Sequence, residues 1–155
     1  RIAIIAGDSE YSVTHERMRG ALKALHDAGL QLAGEARFGP WEAEWGRAAA
    51  RLLLNDGAAF DAVICQNDVL ARGCIGELER NGCRVPQDVA VIGHDNSPDY
   101  VSYAHPLLTS IDDNNEMLGR QAALCLLDAI AGHPHHGVER VPVKLIQRES
   151  TLPLD

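Results

Sequence analysis

Apolar and polar positions along the chain follow two periods in turn. Short apolar runs at 2–6, 60–65, 89–93 and 107–111 have the length and branched composition of strands buried on both faces. Between them the spacing turns helical. Met18, Ala21, Leu22 and Leu25 line one side of a helix over 13–28, which Ser12 or Thr14 would cap and Gly29 ends. A second helix opens with Pro40 at its first position and stops at Asn55-Asp56-Gly57. A third, over 69–80, carries Leu70, Cys74, Ile75 and Leu78 inward and ends at Asn81-Gly82. The strand at 31–38 is weaker because Gly34 interrupts it, and 141–149 reads as a strand apolar on one side. The stretch 94–106 is a long loop with one short turn near 98–101.

Strands separated by helices in this succession give an α/β fold: a parallel sheet with helices on both faces, a three-layer sandwich. Within it, 60–73 is the organising unit. A strand, the pair Asn67-Asp68 and a helix follow one another, so the pair falls at the carboxyl edge of the sheet. In open α/β sheets that edge is where ligands bind.

The helix over 114–131 is apolar around much of its circumference. Met117, Leu118, Ala122, Cys125, Leu126, Ala129 and Ile130 form a stripe that Ala123, Leu124 and Leu127 widen. One sheet face does not cover so broad a surface; another lobe or another copy of the chain must.

Length and charge narrow the picture. The 155 residues suit one domain, and a net charge of −8 argues against direct binding to nucleic acid or to an anionic membrane. No run approaches the ~20 apolar residues of a membrane span. Cys65, Cys74, Cys83 and Cys125 form no CxxC pair; Cys65, Cys74 and Cys125 sit in apolar patterns and read as small buried hydrophobes, reduced in a cytoplasmic protein. The chain opens on a core strand with neither Met nor signal peptide, which reads as part of something longer.

Polar residues recur at the predicted strand ends: Asp8 and Ser9, Trp41, Asn67-Asp68, Asp95-Asn96 and Asp112-Asp113. They are either ordinary turn and cap residues or, with Arg17 one turn into the first helix, one side of a small-molecule cleft. An aromatic face with amides and carboxylates beside it suits a carbohydrate. Chemistry beyond binding is not indicated. The phosphate-loop and nucleophile-elbow patterns are absent, and Asp68 lacks the acidic pair and lysine of a phosphoacceptor site. His133-Pro134-His135-His136 has no Cys or carboxylate pattern with it and reads as a solvated loop. No catalytic residue, metal site or cofactor is expected.

The segments Arg17-Met18-Arg19-Gly20, FDAVICQNDVLARGCIGELERNG (60–82), VPQDVAVIGHDN (85–96) and PLLTSIDDNNEMLGRQAA (106–123) together resemble the LacI/GalR type of bacterial transcription regulator, in its effector-binding domain. The match covers nearly the whole chain. The resemblance implies a periplasmic-binding-protein-like fold of two α/β lobes with the effector between them. Residues 1–112 would form the C-terminal lobe. Residues 113–149 would be a helix and strand belonging to, or returning from, the other lobe, and 150–155 a tail. The helix-turn-helix, the hinge helix and most of the first lobe lie outside this sequence, so operator DNA is a partner only through an absent N-terminal domain.

The resemblance assigns ligand-binding roles to Arg17, Trp41, Asn67, Asp95 and Asp113. Asp113 is a departure, since many relatives carry Gln there; the change replaces an amide with an acceptor-only group. Asp68 is implied as a helix cap more than a ligand. Relatives are homodimers, with 100–105 and the helix from Val69 as interface candidates, and exchange of 114–149 between copies would cover the apolar stripe. The competing function is a sugar-binding protein of a transport system, which shares the fold.

Overall fold

The computed structural model describes residues 1–57 and 59–151. Its strands are β1 (Ile2–Ala6), β2 (Arg37–Phe38), β3 (Ala62–Cys65), β4 (Ala90–His94), β5 (Thr109–Asp112) and β6 (Lys144–Ile146). Its helices are α1 (Ser12–Asp27), α2 (Ala43–Asn55), α3 (Asp68–Arg80), α4 (Pro98–Val101) and α5 (Asn115–Ile130). All six strands share one sheet in the order β2-β1-β3-β4-β5-β6. None of the helices described is long and apolar enough to cross a membrane.

Alternate residues of each strand point to opposite faces and build two cores. Ala3 and Ile5 of β1, Val63 and Cys65 of β3 and Val91 of β4 pack under α2 and α3 with Ala49, Leu53, Leu70, Cys74 and Leu78. Ile4, Ala6 and Ile64 face the other way, beneath Met18 and Ala21 of α1. The three-layer α/β sandwich is therefore present. It is parallel from β2 to β5, but β6 runs antiparallel to β5. The segment after β5 does not cross back over the sheet; it goes out along α5 and returns beside β5 from the same end.

The helix ends follow their glycine signals, whereas two helix starts differ from the expected ones. Gly29, Gly82 and Gly132 each follow a helix with positive φ, and the 6→1 and 5→2 bonds of a Schellman motif form at all three. The start of α1 has no side-chain cap: Tyr11 occupies the cap position, and Thr14 instead donates from Oγ1 to Asp8 O at 2.7 Å. α2 begins at Ala43, not at Pro40. The strand expected at 31–38 shrinks to two residues plus a lone bridge from Ile2 to Leu32, since Gly34 at φ 84° turns the chain away.

Two features have no counterpart in the local sequence pattern. Residue 150 does not begin a loose tail: Ser150 is fully buried, donates from Oγ to Val91 O at 2.6 Å and accepts from Thr109 N at 2.8 Å; residues 152–155 of the expected tail lie outside the described residues. And α2 meets α3 backbone to backbone at two glycines. A Cβ on Gly73 would lie 2.0 Å from Ala43 O, and one on Gly46 2.2 Å from Leu70 O.

The helix α5 stands apart from both cores. None of its residues is buried, and Leu126, Leu127 and Ile130 are 60–74% exposed. Cys125 on this helix is only half-buried, against the expectation of a core thiol, because α5 packs into neither core. Cys65 and Cys74 are buried as expected, and burial pushes the Cys65 thiol well above its ordinary range.

The glycine contact predicts a contrast on one helix. Gly73→Ala must push two backbones apart and should lower stability in urea unfolding by about 1–3 kcal/mol. Gly76→Ala, where a Cβ meets open space, should instead raise it by roughly 0.5–1 kcal/mol.

Candidate functional site

The carboxyl ends of β1, β3, β4 and β5 form one rim. Gln66 ties three elements together there while remaining only 3% exposed. Its Oε1 accepts from Gly7 N at 3.2 Å, just beyond β1, and its Nε2 donates to Thr14 O in α1 at 3.0 Å. The guanidinium of Arg17 reaches across the same rim. It donates to Gln66 O at 2.5 Å from Nη1, and from Nη2 to Asp95 Oδ1 at 3.1 Å and Asp113 Oδ2 at 3.4 Å. Asp95 follows β4 and Asp113 follows β5, so one cation joins residues 17, 95 and 113 of the chain.

His94 completes this cluster. Its Nδ1 lies 3.2 Å from Asp95 Oδ1 and its Nε2 3.5 Å from Asp113 Oδ1. The three residues offer donor atoms within 4.8 Å of one another, a spacing that suits a metal ion. Arg17 already supplies the positive charge at that point. Beneath the guanidinium a cavity of about 300 Å³ runs down the α1 face of the sheet, lined by Ile4, Ala21, Ile64, Ile92 and Ile111.

Trp41 lies on the same rim at the β1 end, with its indole flat against Gly7: a Cβ there would be 2.1 Å from the ring. Any side chain at position 7 would expel it. Trp45 is the structural partner, donating from Nε1 to Ala6 O at 3.1 Å.

The Asn67-Asp68 pair divides its work differently from the expectation. Asn67 is the helix cap: its Oδ1 accepts from Leu70 N at 2.8 Å. It sits on the rim, but that oxygen is committed to α3. Asp68, expected as the cap, is 1% exposed and points inward. It accepts from Ser97 N at 2.8 Å and from Ser110 Oγ at 2.6 Å, and so fastens the loop after β4 to β5. Gly93 makes room, since a Cβ there would sit 2.2 Å from Asp68 Oδ1. Burial raises the Asp68 carboxyl above its usual range, against the pull of the Ser110 and Ser97 hydrogen bonds.

The backbone is strained here as well. Asp95, Asn96 and Asn114 are the non-glycine residues with positive φ among those described, at 98°, 50° and 55°, and all lie just past β4 or β5. Side chains hold them: Asp112 Oδ1 accepts from Asn114 N at 2.7 Å, and Arg148 Nη2 donates to Asn96 Oδ1 at 2.8 Å. Strain of this kind gathers at ligand sites.

Arg17, Asp95 and Asp113 thus converge directly, Trp41 joins them through Gly7 and Gln66, and Asn67 flanks them as a cap. Sequence reasoning missed Gln66 and His94. Both occupy the strand-end position next to a residue that was selected, which is the signal that would have found them.

Residues 1–151 match the periplasmic binding protein-like domain, and the chain belongs to that family. Within it the chain is of the LacI type. It is 36% identical over 157 residues to the HTH-type transcriptional repressor CytR of Escherichia coli strain K12, covering 99% of this chain and 46% of CytR. It is 36% identical over 152 residues to the HTH-type transcriptional regulator CelR of Thermobifida fusca, covering 97% of this chain and 44% of CelR. Its fold superposes on the Lac repressor bound to ONPG with a TM-score of 0.91 at 30% identity, over 97% of this chain and 45% of that one. It also superposes on a CelR–cellobiose complex with a TM-score of 0.84 at 35% identity, over 97% and 46%. The chain spans less than half the length of the curated relatives it matches.

Asp68 gives a pH test. A folded-state pKa above the unfolded one means the unfolded chain ionises first, so this group's contribution to stability falls as pH rises beyond about 4. Asp68→Asn does not titrate, so its stability relative to wild type should improve between pH ~3 and ~7 in urea unfolding. Asp68→Ala strands Ser97 N–H and should cost about 1–3 kcal/mol.

Proposed function

We propose that this chain is the effector-sensing part of a LacI-type transcription regulator, and that it binds an uncharged polyhydroxy compound of the sugar class at the β-strand rim. The observation that carries this reading is the Arg17 guanidinium, shared between Asp95 and Asp113, with the Trp41 indole against Gly7 on the same rim. Arg17, Trp41, Asp95 and Asp113 are the ligand-binding set in this proposal, with Asn67 at its edge. A planar five-donor fork with flanking carboxylates offers donors and acceptors to vicinal hydroxyls, and Trp41 offers a face to sugar C–H groups.

The same balance argues against an anionic effector. Arg17 already faces two carboxylates, so a phosphate would have to displace them to reach it. The CelR–cellobiose complex supports a neutral sugar.

Residues 1–112 then form one lobe, and 113–149 carry α5 to the other and return as β6. Binding closes the cleft and shifts a homodimer between two arrangements with different operator affinity, which requires unequal effector affinity for the two. Operator contact is through a DNA-binding domain outside this chain, in the cytoplasm. The regulator names of the relatives favour this over a transport protein or an enzyme.

Calorimetry on the full-length regulator with neutral pentoses and hexoses and with their phosphates tests the effector class. At least one neutral sugar should bind and its phosphate should not; binding of phosphates alone would overturn the assignment. Arg17→Ala should weaken the binding found by about 10- to 100-fold. The 155-residue chain alone should elute as a dimer in gel filtration at micromolar concentration, its α5 stripes covered by one another. A monomer would show that copies of this chain do not cover that stripe.

A further inference from the structure

The polar loop after α5 acquires companions that its sequence neighbours do not supply. The Schellman turn at Gly132 and the positive φ of Gly137 (97°) fold the chain back along the helix. That return brings His135 and Glu139 against Cys125, 10 and 14 positions earlier. One ligating atom from each of the three residues lies within 4.8 Å of the others, and Cys125 Sγ is 3.7 Å from Glu139 Oε2. Tetrahedral coordination at bond lengths of about 2.0–2.3 Å spaces its donors about 3.3–3.8 Å apart. The limit of 4.8 Å exceeds that spacing by about 1 Å. Glu139 is also oriented from outside the triad: Gln121 Nε2, one helical turn before Cys125, donates to its Oε1 at 2.9 Å. Such a partner is what fixes a ligating carboxylate in metal sites.

We propose that Cys125, His135 and Glu139 form a binding site for a divalent transition-metal ion of the zinc class, with water in the fourth position. A thiolate, an imidazole and a carboxylate form a mixed donor set that suits Zn²⁺ and excludes Mg²⁺ and Ca²⁺, which take oxygen ligands. The site is separate from the rim cluster, where Arg17 occupies the corresponding space. A bound ion would fasten the loop 133–139 to the side of α5.

Titration of the reduced protein with Co²⁺, followed by optical absorption, reads this directly. A single equivalent should produce the thiolate-to-cobalt charge-transfer band, and Zn²⁺ should abolish it by displacement. Cys125→Ser should lose the band while Cys83→Ser keeps it. His135→Asn and Glu139→Gln should each weaken cobalt binding by about tenfold or more. Because none of the three ligands belongs to either core, circular dichroism of the variants should match wild type. Absence of a band, or a band that survives Cys125→Ser, would overturn the proposal.

Discussion

One guanidinium holds the carboxyl edge of this sheet together. Arg17 comes from α1, yet its donors end on the carbonyl after β3 and on carboxylates after β4 and β5. Without that cation, Asp95 and Asp113 would face each other and His94 across a partly desolvated space, and like charges so placed repel. The edge is thus organised around one cation, and in the proposed site a ligand would have to share Arg17 with those two carboxylates.

Behind that layer is a second one that braces it. Asp68 fixes the loop after β4 to β5, Gln66 fixes β1 and α1 to β3, and Ser150 with Arg148 fixes the closing segment to β4 and β5. All of these are buried or half-buried polar groups with partners, where a missing partner would be costly. The left-handed backbones of Asp95, Asn96 and Asn114 persist because this layer over-determines them.

The α/β order, the strand cores and the helix stops were legible in the sequence because each is a local pattern: an apolar run, a 3.6-residue stripe, a glycine after the last turn. The rim was legible because strand ends in such a fold fall on one edge. What escaped depended on contacts between distant segments. The roles of Asn67 and Asp68 are nearly interchangeable on paper; Ser97 and Ser110, 29 and 42 positions away, decide which of them turns inward. The antiparallel β6 follows from where α5 leads the chain, which no period encodes. His135 looked solitary because Cys125 and Glu139 approach it through a reversal in the chain. The broad apolar belt of α5 was legible as a surface that other protein must cover, and the fold leaves it uncovered.

The glycine seam between α2 and α3 has a mechanical consequence. Ordinary helix pairs can slide because side chains between them repack, and small displacements are dissipated in that cushion. Here carbonyl oxygens press on glycine Cα atoms, so the pair behaves as a single plate. Asn67 anchors one end of α3 at the rim, and the 13-residue helix carries that end about 20 Å to Arg80 on the far side. A small tilt imposed at the rim would therefore move both helices together.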